Sequence, residues 1–583
     1  MDLAWFLAAL PFLGLGAGGL RDPWLRSAAS ILLWSFALRA PLRPQRVPAA
    51  WFWTAWLAWA CLSALLSPEP LIGLSGLSRS AAPVLFFALC ASSWTEAQRG
   101  PWTLSLCAAG PFFGAAALLI ERSGHPWTGL LFPYHNYTAA LVAASAAASA
   151  AALAAGSLPR PGKAAFALLL GSDLAFLWTS NSRGALAALT AAAAFSLWRR
   201  GRSMALLALL LFLAAGAAFL PADRLSALLK LDNPGAQMRP ALWKVSLQVA
   251  ADRPLLGEGP GRFDRGYLRH NFPVPPEQRP TRYGLRSAHA HSEALQVAAE
   301  TGWAGFALFL LAWLSALRKA LPRREEEGWE RDAALAALLC LSAQSLVDNI
   351  LALPALGLLY ASALAASLPD TGQEAAPSGG SPSVLQRAAC AAGLALAAWA
   401  WWPSWAVGTL SAAALRAADD SGVRAAARAL ALAPEDSGLW DLLARTQLRK
   451  SPPDPEGALR SLTRASALDP TNAASLLMRA ELLRSAGRWE EVLALASKAG
   501  GLEPDCPQAR LQAAEALSRL GRAREARIEF DALDALRSRG AVPASSPREA
   551  LLLHFDTERY DAVGRLLEGV SATASPAGRA SGP

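Results

Sequence analysis

The chain has 583 residues, of which 53% are hydrophobic, and its mean hydropathy is +0.26. This composition excludes an ordinary soluble protein, because several apolar runs approach the ~20 residues that a helix needs to cross a bilayer. Much of the net charge of +9 lies in short loops between those runs, where it indicates orientation and gives no reason to expect a nucleic-acid partner.

The apolar runs predict an all-α fold, a polytopic bundle of about 12–13 membrane-spanning helices. With the N-terminus in the cytoplasm, the inner loops hold fifteen Lys and Arg residues and the outer short loops hold five, among them Arg26, Arg79 and Arg183. The positive-inside rule therefore predicts that the long loop 222–290 and the C-terminal region face outward. The predicted spans are 3–20, 24–38, 49–66, 77–94, 102–120, 137–156, 164–180, 184–198, 203–221, 301–317, 332–347, 350–368 and 387–408.

After about residue 409 a helical repeat replaces the apolar runs. The phrases Leu432-Ala433-Pro434, Leu468-Asp469-Pro470 and Leu502-Glu503-Pro504 recur after 36 and 34 residues, and Gly487-Arg488 recurs as Gly521-Arg522 after 34. A 34-residue helix–turn–helix period is typical of tetratricopeptide repeats. We therefore predict a membrane domain over 1–408, with an outer catalytic loop at about 222–300, a tetratricopeptide α-solenoid over 409–570 and a disordered tail over 571–583.

The long loop is basic, with eleven Lys and Arg residues against six Asp and Glu residues. A solvated basic loop and a site for an anionic ligand both explain this excess. Histidine is the usual acid–base residue near neutral pH, and five of the six histidines are predicted in outward loops or at their junctions: His125, His135, His270, His289 and His291. A metal site at His289 and His291, completed by His270 and His135, is an alternative, but the spacing matches no familiar zinc motif.

Three arginines suit the recognition of phosphate oxygens through the planar fork of the guanidinium: Arg183, Arg239 and Arg286. For Arg183, an interfacial side chain reaching lipid headgroups is an equally good interpretation. The glycine-rich run 257–261 follows no strand, so it predicts a tight turn and not a nucleotide-binding loop. Asp173 and Asp348 are exceptional ionisable residues near helix ends, and such residues are too few to favour a transporter.

The order of four motifs resembles the O-antigen ligase/polymerase superfamily. They are Phe132-Pro133-Tyr134-His135-Asn136; Ser182-Arg183-Gly184-Ala185; Arg239-x3-Trp243 followed by Pro254-Leu255-Leu256-Gly257-x-Gly259; and His291-x3-Leu295 followed by Glu300-x-Gly302-x2-Gly305. The set covers about 175 residues in the family's order. The chain departs from the family at Ser292, where Asn usually follows the key histidine.

The resemblance implies glycan transfer from an undecaprenyl-pyrophosphate donor to a glycan or lipid acceptor, outside the inner membrane and without cofactor or metal. It implies catalytic roles for His291, Arg239 and Arg183. We assign substrate binding to Arg286, His289, Asn136 and Trp243. A Wzy-type polymerase and a non-catalytic membrane anchor for the repeats are the alternatives. The bilayer and an unidentified protein bound by the repeats are the other expected partners.

Overall fold

The computed structural model describes residues 2–40, 42–123, 135–155, 158–180, 182–199, 234–275, 281–321, 328–369, 382–538 and 546–573. Within these ranges the fold is all-helical, as the sequence predicts. The predicted span 203–221, residues 574–583 of the expected tail and the motif residues Phe132, Pro133 and Tyr134 lie outside the described residues. The chain divides into two compact units, 1–263 with 289–403, and 264–288 with 404–583.

The first unit is built from apolar helices that pack side by side. Its helices are α1 (Leu3–Gly16), α2 (Pro23–Arg39), α3 (Ala50–Leu65), α4 (Pro70–Ser93), α5 (Glu96–Ser123), α6 (His135–Ala154), α7 (Arg160–Ser180), α8 (Arg183–Arg199), α9 (Pro234–Asp252), α11 (Glu293–Ala320), α12 (Trp329–Ser345), α13 (Pro354–Ala366) and α14 (Val384–Trp399). Helix α10 (Phe263–Arg269) belongs to the second unit from its second residue onward. Helix α6 packs against α5, α7, α8 and α12, while α11 packs against α3 and α9.

Length and composition identify a multi-pass membrane protein. Among the described residues, five helical segments are long and apolar enough to cross a bilayer: Pro70–Ser93, Glu96–Ile120, Asn136–Ala154, Glu293–Ala320 and Val384–Arg416. Four further apolar helices are shorter.

Arg26 and Arg79, which the charge count places in loops, lie inside α2 and α4. The reason is that Asp22 caps α2 by accepting from the backbone N–H groups of Trp24 and Leu25, and Pro70 begins α4 well before the predicted span.

The second unit contains paired antiparallel helices, and the predicted repeat phrases mark their ends. Its helices are α15 (Trp402–Arg416), α16 (Asp420–Leu432), α17 (Ser437–Arg449), α18 (Pro455–Leu468), α19 (Ala473–Ser485), α20 (Trp489–Leu502), α21 (Pro507–Arg519), α22 (Ala523–Ser538), α23 (Pro547–Leu553) and α24 (Thr557–Thr573). Gly487 and Gly521 follow α19 and α21 with φ of +71° and +76°, a conformation that glycine adopts without steric cost. Helix α24 extends to Thr573, into the range predicted to be disordered.

The repeats hold part of the long loop, which the sequence assigned to the membrane domain. The Glu503 carboxylate accepts from the backbone N–H groups of Arg282 and Tyr283 at 2.6 and 2.9 Å. Arg265 pairs with Asp436 at 2.9 Å, and Asn271 donates to Thr471 at 3.3 Å. Residues 264–288 therefore form one compact unit with the repeats.

Candidate functional site

Asp348 is the centre of a polar cluster to which three other segments of the first unit contribute side chains. Its Oδ1 lies 3.0 Å from His291 Nδ1, and its Oδ2 accepts from Arg239 Nη2 and Asn136 Nδ2, each at 3.0 Å. The backbone N–H of Asn349 also donates to Oδ1, at 3.0 Å. Asp348 is 5% exposed, so these donors replace the water that a carboxylate needs when it is buried.

The cluster keeps Asp348 ionised. Burial alone would raise the pKa of this carboxyl, but the hydrogen bond from His291 and the charge of Arg239 bring its pKa below the usual value. An ionised carboxylate only accepts hydrogen bonds. His291 must therefore donate from Nδ1, and in the neutral ring this leaves Nε2 with a free lone pair.

The backbone around His291 is held in an unusual conformation. Its φ is +49°, in the left-handed region that residues other than glycine rarely adopt and that is often seen at functional sites. Trp243 Nε1 donates to the His291 carbonyl at 3.2 Å. The His291 side chain remains 41% exposed. The main chain is thus tied down while the ring stays accessible to a substrate.

Ser292, which replaces the usual asparagine, does not cap α11 through its side chain. It precedes this helix with extended backbone, but its hydroxyl makes no capping hydrogen bond, and the residue is 4% exposed. The Ala290 N–H donates to Gln296 Oε1 at 2.7 Å, and Gln296 Nε2 donates to Glu300 at 2.6 Å. The turn that carries His291 is therefore secured by Gln296, one helical turn into α11.

Arg183 lies at the edge of the same cluster. Ser182 Oγ, one residue before it, donates to Asn136 Oδ1 at 3.4 Å, and Asn136 is bound to Asp348. The positive charges of Arg183 and Arg239 repel each other. Two guanidinium groups held close together favour an anion between them.

Two interlocked turns fix α9, which carries Arg239, against α11, which follows His291. The N–H of Gly259 donates to Glu300 O at 2.9 Å, and the N–H of Trp303 donates to Pro254 O at 2.7 Å. Gly302 interrupts α11 with φ of +71°, and a Cβ atom there would collide with the Leu255 carbonyl. The glycines of these motifs therefore permit close backbone contact. Such contact is consistent with the tight turn predicted for 257–261.

The match to known families falls on this region. Residues 164–310 match the O-antigen ligase family. The resemblance read from the motifs is confirmed, and glycan transfer of the ligase or polymerase type is the activity that this family domain supports. The matched segment is about a quarter of the chain. It contains Arg183, Arg239 and His291, whereas Asn136 and Asp348 lie on either side of it.

The curated proteins give no match. Solved structures similar to the chain include MamA MSR-1 (23% identity, TM-score 0.21, 23% of this chain and 77% of that chain). A Thermobaculum terrenum O-GlcNAc transferase mutant has 26% identity, a TM-score of 0.21 and coverage of 24% and 29%. Yeast Tom70 has 13% identity, a TM-score of 0.20 and coverage of 81% and 85%.

The other two predicted ligand-binding residues have different surroundings. Burial and the nearby charge of Arg79 lower the pKa of His289 to about 4, so this imidazole is neutral at physiological pH. Arg286 belongs to the second unit, where its guanidinium binds Asp469. Within the described residues no three His, Cys, Asp or Glu side chains are grouped as a metal site requires.

The first unit thus brings together His291, Arg239, Arg183, Asn136 and Trp243. It adds Asp348, to which the sequence reading gave no role in the site. The signal available in the sequence was its position as an ionisable residue at the end of a predicted membrane span, a place where such residues are costly and usually functional.

Proposed function

We propose that this protein transfers a glycan from an undecaprenyl-pyrophosphate carrier to an acceptor hydroxyl on the periplasmic side of the inner membrane. In this proposal the N-terminus is cytoplasmic, and the long loop and the repeats are periplasmic, as the charge bias of the loops predicts. The observation that carries the proposal is the 3.0 Å hydrogen bond between His291 and Asp348, beside two arginines.

His291 is the general base. Its Nε2 accepts the proton of the acceptor hydroxyl while the hydroxyl oxygen attacks the anomeric carbon of the donor sugar. A new C–O bond forms as the bond between that carbon and the diphosphate oxygen breaks, and the electron pair leaves with the diphosphate. The Asp348 carboxylate stabilises the imidazolium that results, in the manner of a buried aspartate behind a catalytic histidine.

Arg239 and Arg183 stabilise the leaving group. A guanidinium has five N–H donors, and the described contacts of Arg239 use one of them, on Asp348. The remaining donors are suited to phosphate oxygens. A diphosphate would relieve the repulsion between the two arginines and gain stabilisation as its charge grows during bond cleavage. Asn136 and Trp243 position this machinery through Asp348 and the His291 carbonyl.

The repeats have a structural task in the same scheme. They bind residues 264–288 through Asp436, Asp469 and Glu503, and the chain then continues directly into His289 and His291. We propose that they fix the path of the chain that enters the catalytic turn. An additional protein partner for the repeats remains a prediction.

Replacing His291 with Ala tests the proposal. Membranes from cells that carry the variant should contain normal amounts of the protein but should lose glycan transfer, since the remaining base of the cluster, Asp348, is buried and already accepts hydrogen bonds on both oxygens. His554→Ala, in an exposed histidine of the repeats, is the matched control and should transfer normally. Undiminished transfer by His291→Ala would exclude the base assignment.

The acceptor is identified by what accumulates in a strain lacking this protein. Long glycan chains on the lipid carrier indicate a ligase, because assembly is complete and only the final transfer is missing. Single repeat units on the carrier indicate a polymerase. Both outcomes use the same proton transfer and the same leaving group, so the assignment of His291 and the arginines does not depend on which one is found.

A further inference from the structure

A small polar pocket in the first unit lies between α2, α4 and the residues that follow α14. Its basic residues are Arg26 and Arg79, and three of its serines are Ser27, Ser30 and Ser78. In α2, Arg26 is followed by Ser27 and Ser30. In α4, Ser75 and Ser78 precede Arg79. Residues at this spacing share a helix face, so each helix presents two hydroxyls and a guanidinium to the pocket.

The serine hydroxyls at the pocket have no protein partner. Ser27, Ser30 and Ser78 are 7%, 4% and 7% exposed, they line the pocket, and across the described ranges none of their hydroxyls makes a hydrogen bond. This is unusual for serines in helices: Ser93, also in α4, donates to the carbonyl of Leu89 one turn earlier at 2.7 Å. Three hydroxyls that are free to donate at one pocket favour a ligand with several acceptor oxygens.

The two guanidinium groups are also uncompensated. Arg26 and Arg79 repel each other, and in the part of the chain that the structure describes neither forms an ion pair or a hydrogen bond. Asp22 attracts Arg26, but its carboxylate already caps the first turn of α2 at 2.9 and 3.1 Å. Two close positive charges with several hydroxyl donors match a tetrahedral oxyanion that bears more than one acceptor oxygen.

The walls of the pocket are fixed. Ser75, the fourth serine, donates to the Ala400 carbonyl at 2.6 Å, which ties α4 to the end of α14. The rings of Trp24 and Trp401 lie 3.8 Å apart at their centroids. Trp24 is 52% exposed on an apolar helix, so its outer face is available to lipid, and tryptophan is common where lipid meets water.

We propose that this pocket binds the phosphate group of a membrane lipid, through the guanidinium groups of Arg26 and Arg79 and the hydroxyls of Ser27, Ser30 and Ser78. The bound phosphate belongs either to a bilayer phospholipid or to a polyprenyl diphosphate. The site is separate from the Asp348 cluster, because none of its residues belongs to that cluster. Arg79 nevertheless acts electrostatically on His289, so the charge of the occupant is felt in the loop that carries His291.

Native mass spectrometry of the delipidated full-length protein tests the proposal. Phosphatidylglycerol, a polyprenyl diphosphate and the phosphate-free diacylglycerol are added separately, and bound lipid is measured for the wild type and for Arg26→Gln/Arg79→Gln. The wild type should retain both phosphate lipids about tenfold better than diacylglycerol. The variant should lose the preference for phosphatidylglycerol, and its retention of polyprenyl diphosphate should fall to the share bound by Arg183 and Arg239. Arg39→Gln, an exposed arginine at the other end of α2, should retain it.

A milder variant distinguishes loss of lipid binding from misfolding. Ser30→Ala/Ser78→Ala removes two hydroxyls and no charge, so it should weaken phosphate-lipid binding severalfold while leaving the melting temperature nearly unchanged. If Arg26→Gln/Arg79→Gln loses more polyprenyl diphosphate than phosphatidylglycerol relative to the wild type, the occupant is the polyprenyl diphosphate, and the reverse identifies a bilayer phospholipid. Equal retention of diacylglycerol and both phosphate lipids, or identical binding by the wild type and both pocket variants, would overturn the proposal.

Discussion

Replacing Asp348 with Asn should slow glycan transfer strongly without unfolding the protein. The carboxylate receives hydrogen bonds on both oxygens, from His291 and Asn349 on one and from Arg239 and Asn136 on the other. An amide of the same shape must turn its NH₂ group toward one of these pairs. In either orientation a donor faces donors, so no rotation of the side chain restores the network.

The size of the effect follows from the bonds that are lost. If the NH₂ group faces His291, the ring must accept at Nδ1 and carry its proton on Nε2, where it can no longer act as a base. If it faces Arg239, the guanidinium is displaced from the leaving group. Loss of two charge-assisted bonds at about 1.5–3 kcal/mol each corresponds to a rate on the order of 10²–10⁴-fold lower, since about 1.4 kcal/mol is a factor of ten.

The assay is the time course of lipid-linked glycan consumption in membranes that contain equal amounts of each variant. Asp173→Asn is the matched control, because Asp173 is also a buried aspartate of the first unit but binds Ser145, at 2.7 Å, and not the His291 cluster. It should retain transfer. A wild-type rate for Asp348→Asn, in protein that melts normally, would refute the role of Asp348 in holding the base.

Three further results are expected. Arg239→Lys keeps the charge but loses the planar fork, so transfer should fall by about ten- to a hundredfold, and an unaffected rate would exclude bidentate phosphate contact. His289 has a folded-state pKa of about 4, below its ordinary 6.5; the unfolded chain therefore binds the extra proton first, and stability should decline as pH falls from about 6.5 to 4. His289→Asn should show a smaller decline in melting temperature over that window, and an identical decline would contradict the burial of this imidazole. Glu503→Ala leaves the N–H groups of Arg282 and Tyr283 unpaired, which costs about 1–3 kcal/mol of stability each, so hydrogen exchange of residues 264–288 should accelerate. Glu490→Ala, at an exposed glutamate in the first turn of α20, is the control and should leave exchange unchanged. Equal exchange in both variants would contradict the anchoring.

The features predicted correctly from the sequence are those with a local or repeated signal. The helical repeats were visible because Leu468-Asp469-Pro470 and Leu502-Glu503-Pro504 recur with the period of one helix pair. The segment that matches the O-antigen ligase family was recognisable because Arg183, Arg239 and His291 each lie within a short motif of defined residue types. Gly302 was part of such a motif, and its positive φ now explains why a side chain is excluded there.

The features that were missed depend on contacts between distant parts of the chain. Asp348 follows His291 by 57 residues, and its immediate neighbours contain nothing that distinguishes it from another polar residue at a helix end. Arg286 is the opposite case, because its closeness to His291 in sequence suggested a shared site and gave no sign of its bond to the repeats. Its partner Asp469 lies 183 residues away. Neither pairing has a periodicity or a spacing from which it could be inferred.

The position of Arg286 changes how the repeats relate to catalysis. Ala288 and His289 are consecutive residues, yet the first belongs to the unit that contains the repeats and the second to the unit that contains the catalytic cluster. The Arg286–Asp469 ion pair therefore fixes the chain five residues before His291, whose own backbone has the constrained φ of +49°. A ligand that competes for Asp469 would release this anchor, and the freed chain would lower the population of the turn that places Nδ1 on Asp348. Under the proposed function, a ligand on the repeats would then lower the rate of glycan transfer through the covalent chain alone.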